Sequence, residues 1–155
     1  MSKYIFISCL CIFLIGCASK ETTCEFYEGF AFYMKNEHRI EIAKKPATIY
    51  YLMPLSGCEP CVASNLEMLA SIPKSDSLLI IFVGISEMQQ YNDEAATLKK
   101  QHNYVEDIDR NIYSYETDFG KPLLIHIDKK NCYYYEEITD LEVEDAKIYL
   151  EKHHE

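Results

Sequence analysis

The 155-residue sequence has no tryptophan, only five glycines and only five prolines. It holds one Cys-x-x-Cys, Cys58-Glu59-Pro60-Cys61, and no second one. A structural zinc site wants four ligands, so the missing second pair argues against one. No internal repeat or low-complexity tract is present. The N-terminal apolar segment, residues 4–15, falls short of the about 20 residues that a membrane-spanning helix needs. Positive charge is scarce. Lys and Arg number 15 against 25 Asp and Glu, a formal net charge of −10, which argues against nucleic acid or an anionic membrane surface as a direct partner. What the chain does have is apolar: 48% hydrophobic residues, enough for one packed core, and a length that suggests one domain.

The most informative stretch runs from Leu52 to Leu69. An apolar run, Thr48 to Leu55, stops at Ser56-Gly57. Two cysteines follow, and then Val62, Leu66, Leu69 and Ile72 fall on one helical face. The pattern is strand, sharp turn, Cys-x-x-Cys, helix. In the first turn of a helix, Cys58 meets unpaired backbone N–H groups and the positive end of the helix dipole, both of which stabilise a thiolate. Cys61, one turn on, is near enough to close a disulfide with it. Pro60 is tolerated because first-turn N–H groups have no intrahelical partner. Glu59 has two readings: a group that tunes the thiol or takes its proton, or a solvated acid favoured by the dipole.

The stretch resembles the thioredoxin family, and so does Gly120-Lys121-Pro122-Leu123-Leu124-Ile125-His126-Ile127-Asp128, which is similar to that family's cis-proline loop and the strand after it. The 61 positions from Cys61 to Pro122 and the Cys-Glu-Pro-Cys motif resemble the extracytoplasmic branch, the thiol-disulfide oxidoreductases of cytochrome c maturation and their relatives. The resemblance implies an α/β thioredoxin fold, a central mixed β-sheet with helices on both faces. It implies a redox disulfide between Cys58 and Cys61, with Cys58 as nucleophile and Cys61 resolving, and substrate held at Lys121 and Pro122. It implies no cofactor, and a partner protein that brings a thiol or a disulfide. Three positions depart from the family pattern: Gly57 stands where Trp is usual, Leu52 where a buried Asp is common, and Lys121 where Thr is common. A Lys121 ammonium beside the Cys58 sulfur would favour the thiolate.

At the N-terminus, Lys3, the apolar segment and Leu14-Ile15-Gly16-Cys17 resemble a bacterial lipobox. That implies a lipoprotein signal peptide over residues 1–16, lipidation of Cys17, a tether over 17–24 and a thioredoxin-like domain over 25–155. The expected location is the bacterial cell envelope, extracytoplasmic and held to the membrane by the lipid. Ala18-Ser19 after the cysteine favours the outer membrane. An ordinary signal peptide or a short anchor is the plainer alternative. Cys9 and Cys11 are then apolar filler. Cys24 and Cys132 either form a structural disulfide or stay as two free thiols, since pairing cannot be deduced from sequence.

Elsewhere the pattern predicts strands over Leu78–Val83, Leu123–Ile127 and Cys132–Ile138, with a turn at Lys129-Lys130-Asn131, and helices over Glu87–His102 and Val143–Lys152. Glu25 to Ile42 reads as strand or irregular, with a short strand at Arg39–Ile42. Val105 to Phe119 reads as a loop carrying one short element. His126, Tyr133-Tyr134-Tyr135 and His153-His154 read as strand surface and a chain end rather than as ligand sites. Two rival functions remain open: a binding module whose Cys58–Cys61 bond is structural, and a copper metallochaperone.

Overall fold

The computed structural model describes residues 24–115, 117, 119–129 and 131–153. The expected signal peptide, Cys17 and the tether up to residue 23 lie outside the described residues, as do Lys130 and His154. The described chain is an α/β unit with a five-stranded mixed sheet and four α-helices. In chain order these are α1 (Tyr27–His38), β1 (Thr48–Pro54), α2 (Glu59–Ser71), β2 (Leu78–Val83), α3 (Gln89–Gln101), β3 (Asn103–Asp107), β4 (Leu123–Asp128), β5 (Asn131–Glu137) and α4 (Val143–His153). Short 3₁₀ turns occupy Ile42–Lys44 and Asn111–Ser114. No helix among the described residues is long and apolar enough to cross a membrane.

The sheet order is β3-β2-β1-β4-β5. β1, β2 and β3 run parallel; β4 is antiparallel to β1, and β5 to β4. β1 sits in the centre and all seven of its residues are buried, which is why Thr48 to Pro54 reads as an unbroken apolar run. Its side chains alternate between two cores. Ile49, Tyr51 and Met53 join residues of α2, α3 and α4 on one face. Tyr50 and Leu52 join Phe30, Tyr33 and Met34 of α1 and Ile112 and Phe119 on the other. Helices therefore cover both faces, three on one and one on the other.

α2 begins where expected, with Cys58 as N-cap and Pro60 in the first turn. It ends at Ile72, extended at φ −79°, ψ 133°, the backbone that a following proline imposes. The strands and helices expected from β2 onward appear within two residues of their predicted bounds, with β3 as the exception.

Four expectations need correction. Glu25 to Ile42 is mostly helix, not strand. Phe30, Tyr33 and Met34 follow i, i+3, i+4 spacing, and all three are buried. Arg39 is not in a strand either. It sits in the left-handed region at φ 58°, closing α1 with bonds from its own N–H to the Lys35 carbonyl and from the Ile40 N–H to the Met34 carbonyl. Residues 103–107, partly read as loop, form the edge strand β3. Its polar, half-exposed residues become a strand because the parallel edge of β2 offers backbone partners. Finally, no peptide bond among the described residues is cis, so Lys121–Pro122 is trans. The Pro122 carbonyl accepts the Ile138 N–H at 2.7 Å, and Leu123 pairs with Leu52. The chain thus enters β4 through the ordinary, lower-energy peptide geometry.

Candidate functional site

The strand-to-helix turn after β1 places the two cysteines differently. Gly57 carries φ 110°, a conformation that a side chain disfavours. It turns the chain from β1 to α2 next to the loop before β4: the Gly120 carbonyl oxygen lies 3.6 Å from where a Gly57 Cβ would stand. Cys58, the N-cap, is exposed, and its carbonyl accepts the Val62 N–H at 2.9 Å. Cys61, inside the first turn, is only 2% exposed. The two are disulfide-bonded with Cα atoms 5.2 Å apart, within the usual range of about 4.4–6.8 Å. The site thus offers one exposed and one buried cysteine at a helix N-terminus.

Behind Cys61 lies a buried polar network that the sequence did not disclose. Asn65 is fully buried. Its Nδ2 donates to the Cys61 carbonyl at 2.7 Å and to the Ile138 carbonyl at 3.2 Å, and its Oδ1 accepts the Tyr51 hydroxyl. Ile138 in turn donates its N–H to Pro122. Four segments, β1, α2, the end of β5 and the chain before β4, are joined at the cysteine turn by neutral groups. Burial pushes the Tyr51 pKa well above its usual 10.0, so the hydroxyl keeps its proton and acts as donor. Leu52, at the position where the sequence resemblance implies that a buried Asp is common, is buried on the opposite face of the sheet. The signal that could have found Asn65 is a polar residue one turn after Cys61, at a position the fold buries.

The remaining predicted site residues divide. Pro122 is buried at the same end of the sheet as the cysteines. Lys121 is exposed, and its Nζ stands 3.2 Å from Glu137 Oε2; the charge expected to face the Cys58 sulfur is neutralised by a carboxylate at the end of β5. Glu59 is exposed at the first position of α2, and its carbonyl accepts a long hydrogen bond, 3.5 Å, from the Tyr91 hydroxyl.

Cys24 and Cys132 are bonded to each other, Cα to Cα 5.8 Å, and both are buried. Cys24, given to the tether by the sequence, is therefore part of the folded unit. Among the described residues no three His, Cys, Asp or Glu side chains gather as a metal site. His126 instead contacts the Tyr149 hydroxyl at 2.8 Å and the rings of Tyr133 and His153. No protein-family model matches the chain, and no curated protein matches it.

Proposed function

We propose that the protein is a thioredoxin-like thiol-disulfide oxidoreductase, exported and anchored to the bacterial envelope through a lipid on Cys17. The observation that carries the redox reading is the asymmetry of the bonded pair: an exposed cysteine at the N-terminus of α2 and a buried one a turn later. The order β1-α2-β2, followed by a Pro122-led antiparallel pair and a last helix, supports the fold assignment. The anchor is supported by the lipobox-like residues 14–17.

In the reduced protein, the Cys58 thiolate attacks a sulfur of the partner's disulfide. An S–S bond forms between Cys58 and the partner, and the partner's other sulfur leaves as a thiolate. Cys61 then loses its proton and attacks the Cys58 sulfur. That closes Cys58–Cys61 and releases the second partner thiolate, which takes up a proton. Two electrons pass to the partner, the cysteine pair carries them, and the partner's two thiols gain two protons. The reverse sequence oxidises a dithiol. The neutral Tyr51–Asn65 network offers Cys61 no carboxylate to take its proton.

A redox titration in glutathione buffers tests this reading. Cys58–Cys61 is expected to reduce reversibly while Cys24–Cys132 stays closed. A Cys58–Cys61 bond that opens only on unfolding would leave a binding module with a structural disulfide. Stoichiometric Cu(I) uptake by the reduced pair would support the metallochaperone.

A further inference from the structure

The end of the sheet next to Cys58 also carries a groove that the cysteine pair leaves unexplained. The parallel strands end level with one another, Pro54 beside Val83 beside Asp107, and open α/β sheets bind their ligands outside such carboxyl ends. The loops that follow enclose a cavity of about 260 Å³, with Gly57 and Glu59, the neighbours of Cys58, in its wall. Pockets for drug-sized ligands run to roughly 300–1,000 Å³, so this one suits a side chain or two. Its apolar lining comes from Leu55, Val62 and Tyr91, which are buried, and from Ile85 and Met88, which are 56% and 38% exposed.

The far wall is held firmly. The buried Asp107 carboxylate accepts the Asn111 and Ile112 N–H groups at 2.8 and 2.9 Å, and its backbone carbonyl accepts those of Gly84 and Arg110. Arg110 lays its side chain over Gly84, where a Cβ would stand 2.7 Å from Nε, and donates from Nη2 to Ser56 Oγ at 3.0 Å. The loops after β2 and β3 are thereby braced against the cysteine turn. Ile85 and Met88 are exposed on a preorganised surface, where contact with a partner loses little ordering entropy.

Charge gives the groove a preference. Glu59 and Glu87 line it, and among the described residues neither carboxylate has a partner. Arg110 is the cation of the lining and offsets one of them, and the whole chain is at −10. We propose that the groove selects the redox partner: it takes a large apolar side chain from the polypeptide segment that presents a disulfide to Cys58, while a lysine or arginine of that segment meets Glu59 and Glu87. The inference rests on the redox reading above.

The test is single-turnover oxidation of the pre-reduced protein by three probes. One is bis(2-hydroxyethyl) disulfide; the others are two peptide disulfides that differ only in carrying Leu-Lys or Leu-Glu beside the cysteine. At low ionic strength the Lys peptide is expected to react about five- to tenfold faster than the Glu peptide, the size of one or two exposed ion pairs, with the gap closing as salt is added. Glu87→Gln narrows the gap. Met88→Ser, with Ile85→Ser as a second variant at an exposed site, slows both peptides relative to the hydroxyethyl disulfide. Equal peptide rates alongside normal reaction of the small disulfide overturn the groove alone, and so does a gap unchanged in Glu87→Gln. No reaction with any probe overturns the redox reading, and the groove's role with it.

Discussion

At the scale of single residues, the two cysteines are separated by exposure, and their variants should differ accordingly. Under the proposed redox function, Cys61→Ser leaves Cys58 without its resolving partner, so mixed disulfides with partner proteins should accumulate on non-reducing gels; Cys58→Ser should give none. The opposite pattern would exchange their roles. Reduced Cys58 should alkylate with a midpoint below the free-thiol value of about 8.5, as helix N-terminal thiols do. Lys121→Thr should leave that midpoint nearly unmoved, because the ammonium already answers Glu137. Asn65→Ala strands the buried Ile138 carbonyl and the Tyr51 hydroxyl, at a cost of about 1–3 kcal/mol per unsatisfied group, readable by urea unfolding. The cysteines were legible because their spacing is itself the chemistry. Asn65 was not, because its partner Ile138 lies 73 positions away and a polar residue on an apolar face carries no address. The Lys121 partner was hidden for a related reason: Glu137 is 16 positions away and is brought alongside only by the pairing of β4 with β5.

At the scale of elements, what the sequence showed and hid follows from how local each cause is. α2 carries its own start and stop signals, Cys58 with Pro60 and then Ile72-Pro73. β1 and β2 are named by their unbroken apolar runs, buried throughout in β1 and at all but Leu79 in β2. α1 was hidden because aromatic residues favour strands and Gly29 weakens a helix. The structure explains the glycine: a Cβ there would fall on the Tyr115 carbonyl oxygen. Gly29→Ala therefore sets two effects against each other. Helix propensity favours alanine by about 0.8–1 kcal/mol, while overpacking costs about 1–3 kcal/mol or more. Net destabilisation is expected in a melting curve, and a stabilised variant would mean that α1 does not press on that segment. β3 was hidden because an edge strand is specified by its neighbour: Tyr104 and Glu106 pair with Ile80 and Phe82 of β2.

At the scale of the whole molecule, two features should dominate stability. The Cys24–Cys132 bond closes a sequence separation of 108 residues. A loop near that length is worth about 4–5 kcal/mol in the chain-entropy account, so a Cys24→Ser, Cys132→Ser double variant should melt well below the parent. The second feature is pH. His38, His102 and His126 are each held below the usual 6.5, first of all by burial. A lowered folded pKa means that the unfolded chain binds protons more readily. The stability from keeping these imidazoles neutral is complete above about pH 6.5 and is lost as pH falls through the folded values. The melting temperature should drop across that window, and less so in His102→Gln.

The same long-range disulfide also decides how the fold bears load. Any tension that arrives along the chain from the N-terminal side reaches Cys24 before it reaches α1. At Cys24 the covalent bond hands it straight to Cys132 in β5, within the hydrogen-bonded sheet. α1, which lies between Cys24 and β1, stands outside the force path, and a pulled molecule cannot shed that helix by peeling. In a single-molecule stretch, the residues from Cys24 to Cys132 should add to the contour length only after a reductant is supplied.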